Sequence, residues 1–177
     1  MRNALIFILY VSVLFFSCKR SNKQLIIGKW HAVKLENPGM DSFFSNSQAY
    51  IDTIGKNNDS ATNFALYGAV NMDSMRQLLQ QQYDSAKNMQ TNSVLNTTFN
   101  FRDDGIVILS FNGSRDSSKW KFDNKNQLIL TDLNKNDSGV LNQAVTMQVL
   151  SLSDTDLQLK FEENNSFSTV TFHPDGK

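Results

Sequence analysis

The sequence predicts a mainly β protein: an eight-stranded antiparallel up-and-down barrel with a helical insertion between its first and second strands. After Asn96, apolar residues recur with a period of two, which is typical of strands that bury one face. Seven such runs are separated by polar turns or loops, as in an antiparallel meander. An eighth run lies upstream at Ile26–Leu35. Eight strands are enough to close a barrel, which removes both exposed sheet edges.

The turns that follow the downstream strands support this assignment. Asp104-Gly105 is a strong hairpin signal, because glycine adopts positive φ without steric cost, and Asn112-Gly113 ends the next strand. A longer polar loop spans Asn134 to Gln143. The seven strands are expected at Thr97–Phe101, Ile106–Phe111, Ser118–Phe122, Gln127–Thr131, Val145–Leu152, Leu157–Phe161 and Phe167–His173.

Alternation within the strands predicts which side chains point into the barrel. The predicted inward set is apolar and uncharged: Trp30, Phe99, Phe101, Trp120, Phe122, Leu128, Leu130, Val145, Met147, Val149, Leu157, Leu159, Phe161, Val170 and Phe172. Two apolar stripes are expected outside the barrel, one of Val107, Leu109 and Phe111 and one of Ile27, Val33 and Leu35. The many inward aromatic residues favour a filled interior, with a cavity for one small ligand as the alternative.

Residues 36–96 form the insertion. Its first part, Glu36 to about Ser60, is expected to be irregular because it contains Pro38-Gly39 and a long polar run. A weaker apolar patch at Phe64–Val70 suggests a short helix. The period then changes to three and four over Met72–Gln90, which predicts a helix with Met75, Leu79 and Tyr83 on one face. This helix either covers the barrel mouth or packs on the outer wall.

The N-terminus has the layout of an export signal. Residues 1–17 carry one charge, Arg2, followed by an uncharged apolar stretch that is too short to span a bilayer. Leu14-Phe15-Phe16-Ser17-Cys18 resembles the bacterial lipoprotein signal, in which the cysteine becomes the lipid-bearing N-terminus. Residues 18–24 then form a polar, basic tether, and residues 25–177 the barrel domain. By this resemblance the protein is a lipoprotein of the outer membrane that faces the periplasm.

Composition narrows the function classes. Lysine plus arginine equals aspartate plus glutamate at 17 each, so the basic surface typical of nucleic-acid binding is not expected. Cys18 is the only cysteine, which excludes a disulfide within the chain. The length that remains after the signal fits one domain with a substantial core.

Three motifs in order carry a family resemblance. They are Gly28-Lys29-Trp30 on the first strand, the hairpin sequence Phe99-Asn100-Phe101-Arg102-Asp103-Asp104-Gly105, and Lys119-Trp120-Lys121-Phe122 on a later strand. Together they resemble the lipocalin-like domain of small bacterial lipoproteins. The resemblance implies a calycin-type barrel in which Trp30 lies at one closed end. The insertion of about sixty residues departs from that family, where a compact loop is usual.

Catalytic and metal chemistry are not expected. His31 and His173 are the only histidines, and the predicted strand register places them about five residues apart along the sheet, roughly 15–17 Å at 3.3 Å per residue. Both are therefore expected on the surface, too far apart to share a metal or a triad. The sequence contains no calcium-binding loop and no phosphate-binding glycine loop. We predict no catalytic residues, no metal site and no cofactor.

The remaining feature is the apolar, uncharged interior of the predicted barrel. We therefore expect a membrane-anchored, non-catalytic binding protein of lipocalin-like type, which takes a small apolar ligand in its barrel. The candidate ligand-binding residues are Trp30, Phe99, Phe101, Trp120, Phe122 and Tyr83. The alternative is a solid-cored lipoprotein that binds an envelope protein as an interaction or assembly subunit.

Overall fold

The computed structural model describes residues 20–133, 144–163 and 166–176. Eight strands form one closed antiparallel barrel, in which each strand pairs with its neighbours in the chain and the last pairs with the first. The strands are β1 Gly28–Glu36, β2 Thr98–Phe101, β3 Ile106–Phe111, β4 Ser114–Phe122, β5 Gln127–Asp132, β6 Ala144–Leu152, β7 Leu157–Glu163 and β8 Ser166–Pro174. The predicted fold class is confirmed. The signal, Cys18 and the polar loop from Asn134 to Gln143 lie outside the described residues.

Four helices lie in the described part of the chain: α1 Asn22–Ile26, α2 Pro38–Thr53, α3 Ser60–Tyr67 and α4 Met72–Leu95. The last three make up the insertion between β1 and β2. Helix α2 packs against α4 and β8, and α4 also packs against β1. The insertion therefore lies against the outer wall of the barrel, beside the strands where the barrel closes.

The expectation of an irregular stretch after Glu36 is wrong, because α2 fills most of it. Pro38 stands at the first helical position, where its missing N–H costs nothing, and the Asn37 side chain accepts a hydrogen bond from Met40 N at 2.9 Å. Pro38 therefore begins a helix here instead of breaking one.

Strand β4 begins four residues earlier than expected. Asn112 and Gly113 both have positive φ, 48° and 83°, as a tight two-residue hairpin turn requires. This turn pairs Phe111 with Ser114, and the ladder then continues through Arg115 and Asp116. The polar residues of this segment are a strand because the turn places them in register.

Closure of the barrel depends on β1 and β8. Their ladder runs from Trp30 opposite Pro174 to Glu36 opposite Thr169, with a bulge between Ala32 and Lys34. A bulge inserts one residue and so reverses the alternation beyond it. Leu35, which we expected on the outside, consequently lines the barrel interior.

The outward assignment of the β3 stripe is also wrong. Val107 is fully buried in the core, Leu109 lines the interior, and Phe111 borders the same space although it is 55% exposed. The cause is the hairpin register, which places Val107 opposite Phe101. Partners across a ladder share a face, so an inward Phe101 requires an inward Val107.

Most of the predicted inward set lies in the core, and Val145 is the exception. Its side chain is 51% exposed. It pairs with Leu130 close to the start of β6, at the end of the barrel where β1 ends and β2 begins. We call this end the mouth and the opposite end the closed end.

Helix α1 occupies residues that we expected to be part of the tether. Ser21 caps it in a capping box with Gln24, and Ile26 is fully buried. Two side-chain hydrogen bonds tie this segment to turns at the closed end, from Asn22 to Asn126 at 2.7 Å and from Arg20 to Asp154 at 2.9 Å.

Trp30 fills the closed end, as the resemblance implies. It is 1% exposed, and its indole N–H donates to the Ile26 carbonyl at 2.7 Å. A buried indole N–H requires such a partner. The backbone of α1 supplies it, which couples the short helix to the floor of the barrel.

Replacing this ring tests its role in stability. We expect Trp30→Ala to lower the free energy of unfolding by about 3–5 kcal/mol, because it empties a packed site and leaves the Ile26 carbonyl without its donor. Chemical denaturation would measure the loss. Met89→Ala is the control: its side chain is 71% exposed, and its effect should stay within about 0.5 kcal/mol. A loss below about 1 kcal/mol for Trp30→Ala would contradict this packing.

Candidate functional site

The barrel interior is divided into a filled half and a hollow half. Towards the mouth lies a cavity of about 310 Å³, which we call the mouth cavity. Strands β1, β2, β3, β6, β7 and β8 contribute to its wall, and α4 contributes one residue. The lining consists of Ala32, Leu35, Val94, Thr97, Phe99, Leu109, Ser110, Phe111, Met147, Leu159, Phe161, Val170 and Phe172.

The mouth cavity has almost no polar surface. Eleven of the thirteen lining residues are apolar, and Thr97 and Ser110 are the exceptions. Its lining includes no charged residue. Apolar cavities take up apolar guests. The site can therefore hold a small apolar group, and its lining offers no acid, base or nucleophile beyond two hydroxyls.

Aromatic rings form the floor beneath the cavity. The ring centroids of Phe172 and Phe99 are 4.8 Å apart, those of Phe99 and Phe101 6.0 Å, and those of Phe101 and Trp120 5.6 Å. Phe122 continues the row at 6.1 Å from Trp120. The Trp120 indole N–H donates to the Arg102 carbonyl at 3.1 Å. This stack fills the lower half of the barrel with aromatic rings.

The structure brings one of the six predicted ligand-binding residues to the cavity wall. Phe99 lines the mouth cavity. Trp30, Phe101 and Trp120 are buried in the filled half, and Phe122 packs at the edge of that core. These four residues lie on the strand ends nearest the closed end, so they are too deep in the barrel to reach the mouth cavity.

Tyr83 lies outside the barrel. Its ring packs edge to face on Phe44 of α2 with centroids 5.5 Å apart. Leu79 and Tyr83 both line a groove of about 530 Å³ between α2 and α4. These two side chains therefore do not face the cavity as a lid would require. Only the C-terminal end of α4 reaches the mouth, through Val94.

Sequence reasoning missed several lining residues. Leu109 and Phe111 could have been found by counting across the hairpin, because Phe101 and Val107 pair around the Asp104-Gly105 turn. Leu35 gave no comparable signal, since its inward direction depends on the bulge. Val94 lies beyond Gln90, where the helix was predicted to end. The helix continues to Leu95.

A second space adjoins the mouth cavity from outside. This side groove, of about 360 Å³, runs between β1, α2 and α4. Its lining is mixed, with charged and polar residues beside two aromatic rings. It consists of Val33, Lys34, Leu35, Asp41, Phe44, Ser45, Tyr83, Lys87, Gln90, Thr91, Val94 and Leu95. Leu35 and Val94 thus line both spaces.

The two histidines lie side by side, so the predicted separation of roughly 15–17 Å, based on 3.3 Å per residue, is wrong. His31 pairs directly with His173 across the β1–β8 ladder, and their ring centroids are 6.2 Å apart. The expected register placed His173 near Ile26, but Ile26 belongs to α1 and the ladder is shifted towards the mouth. Barrel strands are staggered by such a shear.

Each histidine also contacts a carboxylate. His31 Nδ1 lies 3.1 Å from Asp175 Oδ1, and His173 Nε2 lies 3.3 Å from Asp156 Oδ1. All four side chains are at least 37% exposed. Over residues 20–133, 144–163 and 166–176, no three histidine, cysteine, aspartate or glutamate side chains come together in a way that could hold a metal ion. We therefore regard this cluster as a surface network at the closed end.

Comparison with known proteins gives little further information. No protein-family model matches the chain, and no curated protein matches it. A crystal structure of a DUF4847 family protein from Bacteroides vulgatus ATCC 8482 aligns with 86% of this chain and 96% of that chain, at 13% identity and a TM-score of 0.42. Within the described residues, no helix combines the length and apolar character needed to cross a bilayer.

The Asp175 carboxyl generates a testable pH dependence. A hydrogen bond from Lys29, with Nζ and Oδ2 2.5 Å apart, is the main cause that lowers the pKa of Asp175, and the charges of Lys29 and His31 add to it. Because its folded pKa lies below the unfolded value near 3.9, its contribution to stability is present above that pH. The contribution is lost as the pH falls through the folded pKa.

We expect Asp175→Asn to lower the melting temperature slightly at neutral pH, and the difference from the wild type to vanish in strong acid. Thermal unfolding followed by circular dichroism between neutral pH and strong acid would measure it. Asp103→Asn is the matched control, since Asp103 is exposed and the ion pair at its turn joins Arg102 to Asp104 instead. A difference for Asp175→Asn that stays constant across the pH range would contradict the assignment.

Proposed function

We propose that this protein is a membrane-anchored, lipocalin-like binding protein without catalytic activity, which holds a small apolar ligand in the mouth cavity. The observation that carries the proposal is the apolar, uncharged lining of a cavity of about 310 Å³. Small-molecule sites range from about 300 to 1,000 Å³, so this volume suits one small ligand or a single alkyl chain.

The division of the barrel supports the same conclusion. A solid barrel would be filled by side chains along its full length, whereas the aromatic stack here ends at Phe99 and Phe172 and the mouth cavity lies beyond it. Apolar voids weaken a core because their walls lose packing contacts. A hollow of this size is therefore costly for stability, and an apolar ligand that fills it would restore those contacts.

A cavity-filling variant tests the proposal. Val170 lines the mouth cavity and Val145 does not, although both lie in the mouth half of the barrel. We expect Val170→Phe to weaken binding of the apolar fluorophore N-phenylnaphthylamine by about tenfold or more, because the added ring occupies the site. Val145→Phe, the matched control, should bind as the wild type does. Fluorescence titration would give both affinities.

The same titration can contradict the proposal. If the wild type does not bind the fluorophore, or if Val170→Phe binds it as tightly as Val145→Phe, the mouth cavity is not the site. Thermal unfolding of both variants shows that they are folded, so that a loss of binding reports on the cavity.

One observation favours a second candidate, an interaction subunit of the cell envelope. The insertion exposes several large apolar side chains, and exposed apolar patches mark protein interaction sites. They are Phe43, Tyr50, Phe64, Leu66, Val70, Leu78, Met89 and Leu95, each more than half exposed. Native mass spectrometry of protein purified from cells separates the candidates, since a retained small molecule supports the ligand and a co-purifying protein alone supports the subunit.

The membrane anchor is a proposal from the sequence. The apolar stretch followed by Ser17-Cys18 supports lipidation of Cys18. By the resemblance to bacterial lipoproteins, a basic tether with Lys19 in place of a retaining aspartate supports an outer-membrane location on the periplasmic side. Two acyl chains on one residue anchor a protein stably. The membrane partner is then the bilayer that holds these chains.

We expect Cys18→Ala to abolish lipidation, because the thiol is the only attachment point of this kind in the chain. The variant should move from the detergent phase to the aqueous phase in a phase-partitioning experiment. Ser17→Ala, which keeps a small residue next to Cys18, should stay in the detergent phase. Unchanged partitioning of Cys18→Ala would contradict the anchor.

A further inference from the structure

The wall of the barrel has an opening on one side near the mouth. Strand β2 has four residues, whereas β1 has nine. The ladder between them ends where His31 pairs with Thr98, and Ala32 N donates to Thr97 O at 2.9 Å just beyond it. The last residues of β1 consequently have no β2 partner on this side.

The C-terminal end of helix α4 packs beside this opening. Val94, near its C-terminal end, packs partly buried against the core. Leu35 and Val94 both border the mouth cavity and the side groove. The two spaces therefore adjoin, with these two side chains, one from a strand and one from a helix, between them.

The two spaces differ in chemistry. The mouth cavity is lined by apolar groups, whereas the side groove presents Lys34, Lys87 and Asp41 together with hydroxyl and amide side chains. A molecule that occupies both must have an apolar part and a polar part. The lining changes from apolar to polar at Leu35 and Val94. This change matches an amphipath with its tail in the barrel and its head outside it.

The charges of the side groove indicate the sign of the head. Lys34 is paired with Glu36 at 2.5 Å. Asp41 lies in the first turn of α2, where the helix dipole favours a carboxylate. Lys87 Nζ lies 5.9 Å from the centre of the Tyr83 ring, and no carboxylate of the described residues forms an ion pair with it. The ammonium of Lys87 is therefore available to an acidic head, and the Asp41 carboxylate lies in the same lining.

We propose that the ligand is a single-chain anionic amphipath, with its alkyl tail in the mouth cavity and its acidic head beside Lys87 in the side groove. This inference rests on the proposed function, because the tail needs the mouth cavity. The hydroxyls of Ser45 and Thr91 and the amide of Gln90 line the same groove and supply further donors for the head.

Dodecanoate and its methyl ester test the inference, because they share a tail and differ in the charge of the head. Each competes with N-phenylnaphthylamine for the purified protein. We expect the wild type to bind dodecanoate about threefold more tightly than the ester, since only the acid can pair with the ammonium and ion pairs of exposed groups are weak. The preference should shrink as ionic strength rises, because Lys87 is exposed.

Lys87→Met keeps the apolar stem and removes the charge. We expect it to bind dodecanoate and the ester equally, with the ester affinity unchanged from the wild type. Lys87→Arg should retain the preference. Lys121→Met is the matched control, because this exposed lysine lies on β4 and borders neither space; it should behave as the wild type does.

The outcomes separate this inference from the proposed function. If the wild type binds acid and ester equally, the ligand class is wrong while the apolar site stands. If the preference survives in Lys87→Met, the placement of the head is wrong. If neither molecule displaces the fluorophore, or the fluorophore itself does not bind, the proposed function fails.

Discussion

Pairing of β1 with β8 is the constraint on which the rest of the structure depends. Neighbouring strands from β2 to β8 pair locally through turns, but β1 and β8 are separated by more than half of the chain. Their ladder removes both sheet edges at once, and it encloses the aromatic stack and the mouth cavity. It also forces the insertion outside, because a closed cylinder of eight strands has no room for three more helices.

The meander was readable from the sequence because its strands are bounded by local turn chemistry. Asp104-Gly105 and the alternation of Trp120 and Phe122 with lysines predict both the strands and the buried face. What the sequence does not reveal is set by long-range register. The bulge beside Val33 depends on how β8 pairs with β1, and so does the pairing of His31 with His173. No local sequence pattern specifies this register.

The candidate site was predictable in kind but not in extent. An apolar, uncharged interior follows from alternation, but the depth at which rings give way to a hollow depends on how neighbouring side chains fill the cross-section. Phe99 and Phe101 differ by one step along the same face, yet Phe99 borders the cavity and Phe101 is 1% exposed within the core. Val94 enters the site because α4 continues past Gln90, where the apolar period of its earlier turns has faded.

With the proposed lipid on Cys18, docking of α1 on the closed end would determine the orientation of the protein relative to a bilayer. Arg20 is held to the turn at Asp154, and Asn22 to the turn at Asn126, so the chain leaves the barrel at its floor. Only Lys19 separates Arg20 from Cys18. Fatty acids on Cys18 would hold the floor against the headgroups and point the mouth away from them. A ligand would then be collected from or delivered to the aqueous compartment, and would not slide in sideways from the lipid leaflet.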